Sequence, residues 1–393
     1  MKPKVAIFLL SILAIVLIDS VTAGSQIIWD PGTVETVLMP TTESWEHWRV
    51  TDPFVIYDND DEIYKMWYRG WGELSSPDLM SFENAIGYAV STDGVNWADR
   101  QLVWGPMSDY YQTKSPVVFK EGDLYRMWVV DYYESVAGEW SGYVSYLTSL
   151  DGINWNYEEK VLSAQGIEEP QGDWYNIDSI CLLREGSQYT IWYTVQDNIP
   201  PDYPLKIWRA TSSDSIAWEN KTLSLPYIWG TWESYVRGPH VVKNESGDYI
   251  MYYAGTSSEQ GWQLASATSE DGITWSNRSQ IGISGGRPFF FRDIDGTPYL
   301  YFWAEDSILR VKGEEISVPI EVAVDVKPGS DPNSINLNSK GVVPVAVLAT
   351  DEFNALNIDP DTCVLSGAQP ERWTMEDVDC DGDLDMLFHF KTQ

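Results

Sequence analysis

From about residue 25 onward apolar and polar side chains alternate with a period of two, and no stretch carries a convincing helical period. Short apolar strands, several opened by proline, recur five times. They are Asp52-Pro53-Phe54-Val55-Ile56, Ser115-Pro116-Val117-Val118-Phe119, Asp178-Ser179-Ile180-Cys181-Leu182, Gly238-Pro239-His240-Val241-Val242 and Arg287-Pro288-Phe289-Phe290-Phe291. An aromatic-rich strand follows each: Ile63 to Tyr68, Leu124 to Val129, Tyr189 to Tyr193, Tyr249 to Tyr253 and Tyr299 to Trp303. A heptapeptide keeps step with them. Ser91-Thr92-Asp93-Gly94-Val95-Asn96-Trp97 recurs at Ser149 to Trp155 and Ser269 to Trp275, with a weaker copy at Ser212 to Trp218. Its tryptophans are 58, 63 and 57 residues apart. Such a period marks one supersecondary unit copied along the chain. Asp-Gly is the chemistry of a tight hairpin turn. Five strand starts against four hairpin tryptophans leave one unit short of its outer strand, and Ile27-Ile28-Trp29 fits the gap. The pattern predicts an all-β protein. A five-bladed β-propeller spans 24–317, its ring closed by the N-terminal strand pairing into the last blade.

The two ends read differently. Residues 1–23 have the form of a signal peptide: Lys2 and Lys4, an apolar run of 14 from Val5 to Ile18, then Val21 and Ala23 at the cleavage-site positions. An uncleaved anchor is the alternative, and either form puts the folded part outside the cytoplasm, secreted or at the cell surface. After Glu314 the aromatic repeat stops, and 318–393 reads as a small β-sandwich-like module rich in Val, Ile, Asp and Asn.

Charge narrows the partners. A net charge of −34 argues against nucleic acid and anionic membrane surfaces. Twenty tryptophans chiefly serve blade packing, and a monomer is expected. Three histidines and three cysteines show no zinc-like or nucleophile-like pattern. Cys181 reads as a buried small hydrophobe, and Cys363 and Cys380 could join in an exported module.

In a propeller the first residues of the innermost strands converge at one mouth of the central channel. Here these are Asp52, Ser115, Asp178, Gly238 and Arg287: two carboxylates and an arginine where small or apolar residues would suffice. The five-fold pattern, the Asp-Pro opening and the S-x-D-G-x-x-W hairpins resemble the five-bladed propeller glycosidases, nearest the family-43 branch, over about 290 residues. That resemblance implies hydrolysis of glycosidic bonds in an oligo- or polysaccharide. It gives Asp52 the role of base. Ser115 stands where the family has a second Asp, and Asp178 where it has a Glu acting as general acid. The chemistry needs one protonated and one ionised carboxyl across the bond. Glu168, Glu169, Asp173 and Glu233 are further candidates for the acid, Glu169 foremost. Arg49, Arg237, His240 and Arg287 could hold a sugar hydroxyl or carboxylate, with Glu46 and His47 nearby. Loop aromatics such as Trp71, Trp174 and Trp232 could stack on sugar rings. A six-bladed sialidase is a minor alternative, since Asp93 and Gly94 are adjacent and only five blades are countable. A propeller that binds glycans or proteins without catalysis is the alternative from another class.

The C-terminal module carries one more motif. Asp377, Asp379, Asp381, Asp383 and Asp385 alternate, with Gly382 at the sharp turn, as in a calcium loop. The twelfth position is Phe388 rather than a bidentate Glu. A structural Ca²⁺ is expected there. With the stretch Asp325 to Asn336, this repeat resembles a small β-module at the ends of secreted archaeal and bacterial proteins.

Overall fold

A computed structural model of the chain describes residues 16–18, 22–72, 83–105, 111–134, 140–163, 176–196, 203–244, 246–257, 259–319, 322–330, 340–350, 353–365 and 367–391. Two compact units emerge, Ile27–Glu315 and a second made of Met1–Gln26 with Ile316–Gln393. Among the described residues there is no α-helix, only strands and 3₁₀ turns, so no helix is long and apolar enough to cross a membrane.

The larger unit is a succession of antiparallel sheets in a propeller-like arrangement. Four contain four strands in chain order, with inner strands Arg49–Asp58, Tyr111–Glu121, Asn176–Glu185 and Tyr235–Lys243. The last holds Gly286–Arg292, Pro298–Ala304 and Ser307–Pro319, and takes its outer edge from the chain's beginning. Thr22–Trp29 and Glu35–Leu38 both pair with Ser307–Pro319, the latter in the register Ile308↔Leu38 and Arg310↔Glu35. The inner strands touch in turn, and the last touches the first, so they make a closed ring.

What binds one sheet to the next is visible in single residues. Trp67, Trp128 and Trp192 occupy the same place in successive second strands and are fully buried. Their Nε1 groups donate to Gly152 O, Ser215 O and Gly272 O, each in the hairpin of the following sheet. Tyr301 completes the circuit by donating its hydroxyl to Gly94 O in the first hairpin, 2.9 Å away. Tyr252, the fourth equivalent, faces a sheet without a copy of the heptapeptide hairpin and packs edge-on against Trp29 of the N-terminal strand instead. Each hairpin is built by its own side chains. Ser91 Oγ accepts from Gly94 N, and Asp93 Oδ1 accepts from Val95 N and Asn96 N. Gly152 has φ +73°, and a Cβ there would lie 2.9 Å from the Trp67 ring. Glycine is required at that approach.

The second unit has a four-stranded antiparallel sheet in the order Val324–Val326, Val342–Val347, Asp385–Lys391, Pro370–Glu376. Among the described residues its core is completed not by a second large sheet but by the segment carrying Phe353, Ile358 and Cys363, which packs with Val345, Phe388 and Phe390. Val16–Ile18, expected in the apolar run of a signal peptide, pairs with Cys363–Leu365. The expected Cys363–Cys380 disulfide is not formed: the Cys363 thiol is buried against Asp359 O, and Cys380 is exposed.

Candidate functional site

Every inner strand begins with a register break: Thr51/Phe54, Lys114/Val117, Ile177/Ser179, Arg237/His240 and Gly286/Phe289. In four of them the residue before proline is left-handed, with φ of 54° at Asp52, 56° at Ser115, 66° at Gly238 and 52° at Arg287. Proline cannot donate to the ladder, and a bulge accommodates that loss while re-aiming the neighbouring side chain. Left-handed φ costs a non-glycine residue about 1 kcal/mol or more. The recurrence at Ser115 and Gly238 makes the bend a property of the ring.

These bends bring the sequence-identified charges together. Arg287 bridges both carboxylates. Its Nε lies 2.9 Å from Asp52 Oδ1, an ion-pair contact off the hydrogen-bond direction, and a guanidinium NH₂ donates to Asp52 Oδ2 at 3.2 Å. The other NH₂ donates to Asp178 Oδ1 and Oδ2 at 3.1 and 3.0 Å. Ser115 N–H donates to Asp52 Oδ2 at 3.1 Å, while Ser115 Oγ accepts from Ile180 N. Ser115 thus holds Asp52 and the next strand by hydrogen bonds. Lys114 Nζ donates to Asp178 Oδ1 at 2.6 Å.

The electrostatics follow. Burial pushes Asp178 up, but Arg287, Lys114 and Arg237 outweigh it and hold its carboxyl well below the usual range. A carboxyl so clamped stays ionised at neutral pH, which works against Asp178 as a proton donor. Burial alone would lower Arg287, and Asp178 and Asp52 reverse that. Lys114 is driven by burial from 10.5 down to about 8, against the opposing pull of Asp178.

Beside this cluster opens a cavity of about 310 Å³ lined by Arg49, Thr51, Arg69, Trp71, Lys114, Asp178, Arg237, Arg287 and Trp303. Arg49 lies 5.0 Å from the ring centres of both Trp71 and Trp303. Arg69 is 5.2 Å from Trp71 and donates Nε to Asn84 Oδ1, and Arg237 is 3.8 Å from Trp262. Arg49, Arg237, Arg287 and Trp71 were legible in the sequence as candidates; Arg69, Lys114 and Trp303 were not. Strand register is the signal for two of them, since Thr51 pairs with Arg69 and Gly286 with Trp303. Lys114 directly precedes the first position of its inner strand, as Arg237 does.

The remaining candidates lie elsewhere. His240 lines a narrow space of about 40 Å³ together with Asp52, Ser115 and Cys181. Burial drives its imidazole down to about 3 and the Cys181 thiol up to about 12, leaving both neutral. Trp232 stacks on Tyr253 and covers Gly255, where a Cβ would meet its ring at 2.8 Å. That contact packs a loop and is not part of the cavity lining. Glu233 beside it is buried, accepting from Tyr253 and from Arg278 Nε at 2.9 Å. Glu46 is its counterpart in the first sheet, accepting from Tyr68 at 2.8 Å and Arg100 at 2.6 Å while Trp45 packs on Tyr68. The shared Trp-Glu pair, Trp45-Glu46 and Trp232-Glu233, was a readable repeat of a structural latch. Glu169, Glu168, Asp173 and Trp174 lie outside the described residues.

In the second unit, carboxylate oxygens of Asp377, Asp379 and Asp385 lie within 4.8 Å of one another. Desolvation and the charges of Asp381, Asp385 and Asp377 raise Asp379. Hard, closely spaced oxygens fit a calcium ion in donor chemistry. Asp385, however, is fully buried and already accepts from Ala349 N and Val378 N. Asp381 accepts from Asp383 N, and neither of these two joins the cluster.

No protein-family model and no curated protein matches the chain. Solved structures do resemble it. A β-1,2-mannobiose phosphorylase from Listeria innocua aligns with TM-score 0.56 and 15% identity, over 74% of this chain and 97% of that one. A glycosyl hydrolase from Bacteroides ovatus aligns with TM-score 0.54 and 14% identity, over 75% and 96%. A third structure, reported for glycoside hydrolases of the mannoside phosphorylase family GH130 that target β-1,2 mannosidic linkages in Candida mannan, aligns with TM-score 0.52 and 14% identity, over 77% and 98%. At these identities the likeness is one of fold: this chain shares a propeller-like β fold with carbohydrate-active proteins.

Proposed function

We propose that this chain is an exported five-bladed propeller that binds an oligo- or polysaccharide in the cavity beside Asp178 and hydrolyses its glycosidic bonds. The observation that carries this reading is the convergence of Asp52, Asp178 and Arg287 from three different sheets beside a cavity with Trp71 and Trp303 on its wall. The guanidinium groups of Arg49 and Arg69, held over these rings, offer donors to sugar oxygens. In the hydrolytic step Asp52 accepts the proton of the attacking water, oriented by Arg287 and by Ser115 N–H. Asp178, paired with Arg287 and Lys114, positions charge rather than giving up a proton. For the proton taken by the leaving oxygen we propose Glu169, which lies outside the described residues.

One observation favours a second reading, a propeller that binds saccharide without cleaving it: both carboxylates are engaged in ion pairs with the same guanidinium. A screen of nitrophenyl glycosides and dye-labelled polysaccharides on the wild type and Asp52→Asn separates the two. Hydrolysis by the wild type, lost in the variant with saccharide binding retained, supports the enzyme. Binding by both without turnover supports the second reading. Equal turnover by both removes Asp52 from the mechanism.

We also propose one Ca²⁺ in the loop from Asp377 to Asp385, held through Asp377, Asp379 and Asp385 and stabilising the second unit. Five aspartates at alternate positions repel one another unless a cation offsets the repulsion.

A further inference from the structure

The cavity is a concentration of positive charge in a protein of net charge −34. Five cationic side chains line it, against Asp178 as its one carboxylate among the described residues. Arg287 and Lys114 are accounted for by Asp52 and Asp178. Arg49, Arg69 and Arg237 make no ion pair among the described residues. Arg237 Nε is buried with no hydrogen-bond partner. Burial lowers both Arg69 and Arg237 to about 10, and the charge of Arg287 adds to the effect in each.

Assembling such a group is unfavourable unless something compensates it. Unpaired buried donors cost stability, and like charges in a small cavity repel. The aromatic faces under Arg49, Arg69 and Arg237 offset part of this through cation–π contact. Arg69 Nε is already held by Asn84 Oδ1, while Arg237 Nε is left to be satisfied. A neutral sugar hydroxyl asks for no such density of charge. An oxyanion does, because the guanidinium fork matches two oxygens at once. A net charge of −34 over the whole chain disfavours a long polyanion such as nucleic acid, and the volume of the cavity suits a group on one or two sugar units.

We propose that the cavity receives an oxyanion held by Arg49, Arg69 and Arg237, carried into the site as the carboxylate of an acidic saccharide. This rests on the saccharide-binding reading above and names the substrate class. Calorimetric titration of the full chain tests it with uronate trisaccharides (galacturonate, glucuronate, mannuronate), the same trisaccharides after carboxyl reduction, and inorganic phosphate alone. The expected result is binding of at least one uronate trisaccharide, weakened about tenfold or more by reduction and by Arg237→Gln, with Arg237→Lys intermediate. Near-ultraviolet circular dichroism establishes that each variant is folded, and Arg69→Gln serves if Arg237→Gln is not. Binding of phosphate, with neutral saccharide binding only in its presence, keeps the oxyanion site but makes free phosphate its source. Neutral and acidic saccharides bound equally, unaffected by Arg237→Gln, overturn the proposal and leave saccharide binding standing. Phosphate binding lost in Arg237→Gln, with no saccharide bound, retains the oxyanion site and sinks the saccharide reading. No binding of any probe overturns both.

Discussion

Replacing Arg287 by methionine removes the cation that joins Asp52 to Asp178 while keeping a long, flexible side chain. All three side chains are nearly enclosed, at 7, 3 and 13% exposure. At about 3 Å and an effective dielectric near 20, each contact contributes roughly 5 kcal/mol of attraction before the cost of burying the charges. Desolvation cancels much of that in the intact cluster. Breaking it is different, because the carboxylates stay buried after their partner has gone, and losses of about 3–5 kcal/mol are then expected. Asp178 keeps Lys114, so most of the loss falls on Asp52. The double variant Arg287→Met/Asp52→Asn should therefore be more stable than Arg287→Met alone, since an amide needs no counter-charge. Urea unfolding followed by tryptophan emission reports on the larger unit, which holds nineteen of the twenty tryptophans. The acid side adds a second reading. The depressed Asp178 contributes stability above the ordinary carboxylate range and loses it as pH falls through its low folded value. In Arg287→Met that loss should begin at higher pH. A single variant within about 1 kcal/mol of wild type, or a double variant no more stable than the single, would refute the electrostatic account.

Lys114 titrates the other way: its proton is held less tightly in the folded protein than in the unfolded chain, so stability should rise between pH 8 and 10.5, and Lys114→Met should lack that rise in parallel urea titrations. Glu46→Ala leaves Tyr68 without its acceptor and Arg100 without its carboxylate in a largely buried site, and should cost about 3 kcal/mol or more in the same assay, whereas Glu46→Gln should cost less. Chelation with EGTA should lower the melting of the second unit and leave saccharide binding by the larger unit unchanged. Calcium added back should restore it with an affinity on the order of 10⁻⁴–10⁻³ M, and an Asp379→Ala protein that responds to calcium like wild type would contradict the site.

The strands and hairpins could be read from the chain because their causes are local. Asp93 closes its turn with hydrogen bonds to residues two and three positions on, and Trp67 alternates with its neighbours on one strand. The first positions of the inner strands were equally visible, so Asp52, Asp178 and Arg287 could be named together. The roles of their partners could not. Whether Arg69 faces the cavity depends on its pairing with Thr51 across a bulge. Whether Trp232 serves a sugar or Tyr253 depends on how a loop folds over Gly255. Glu233 looked like a candidate acid because its type was right, while its burial against Arg278, 45 residues away, was a matter of tertiary structure.

The strand that seals the ring has a consequence in time. Glu35 finds Arg310 across 275 residues, so the earliest part of the domain to leave a ribosome must wait for nearly the last before it can pair. Sheets made of consecutive strands can form as they emerge, but the final one stays an open edge until its outer strand returns. Long-range pairing of this kind slows folding and lengthens the interval in which unpaired edges meet other chains. Under the export proposed above, that interval would have a use: a chain whose two ends have not met can still be threaded, end first, through a narrow pore.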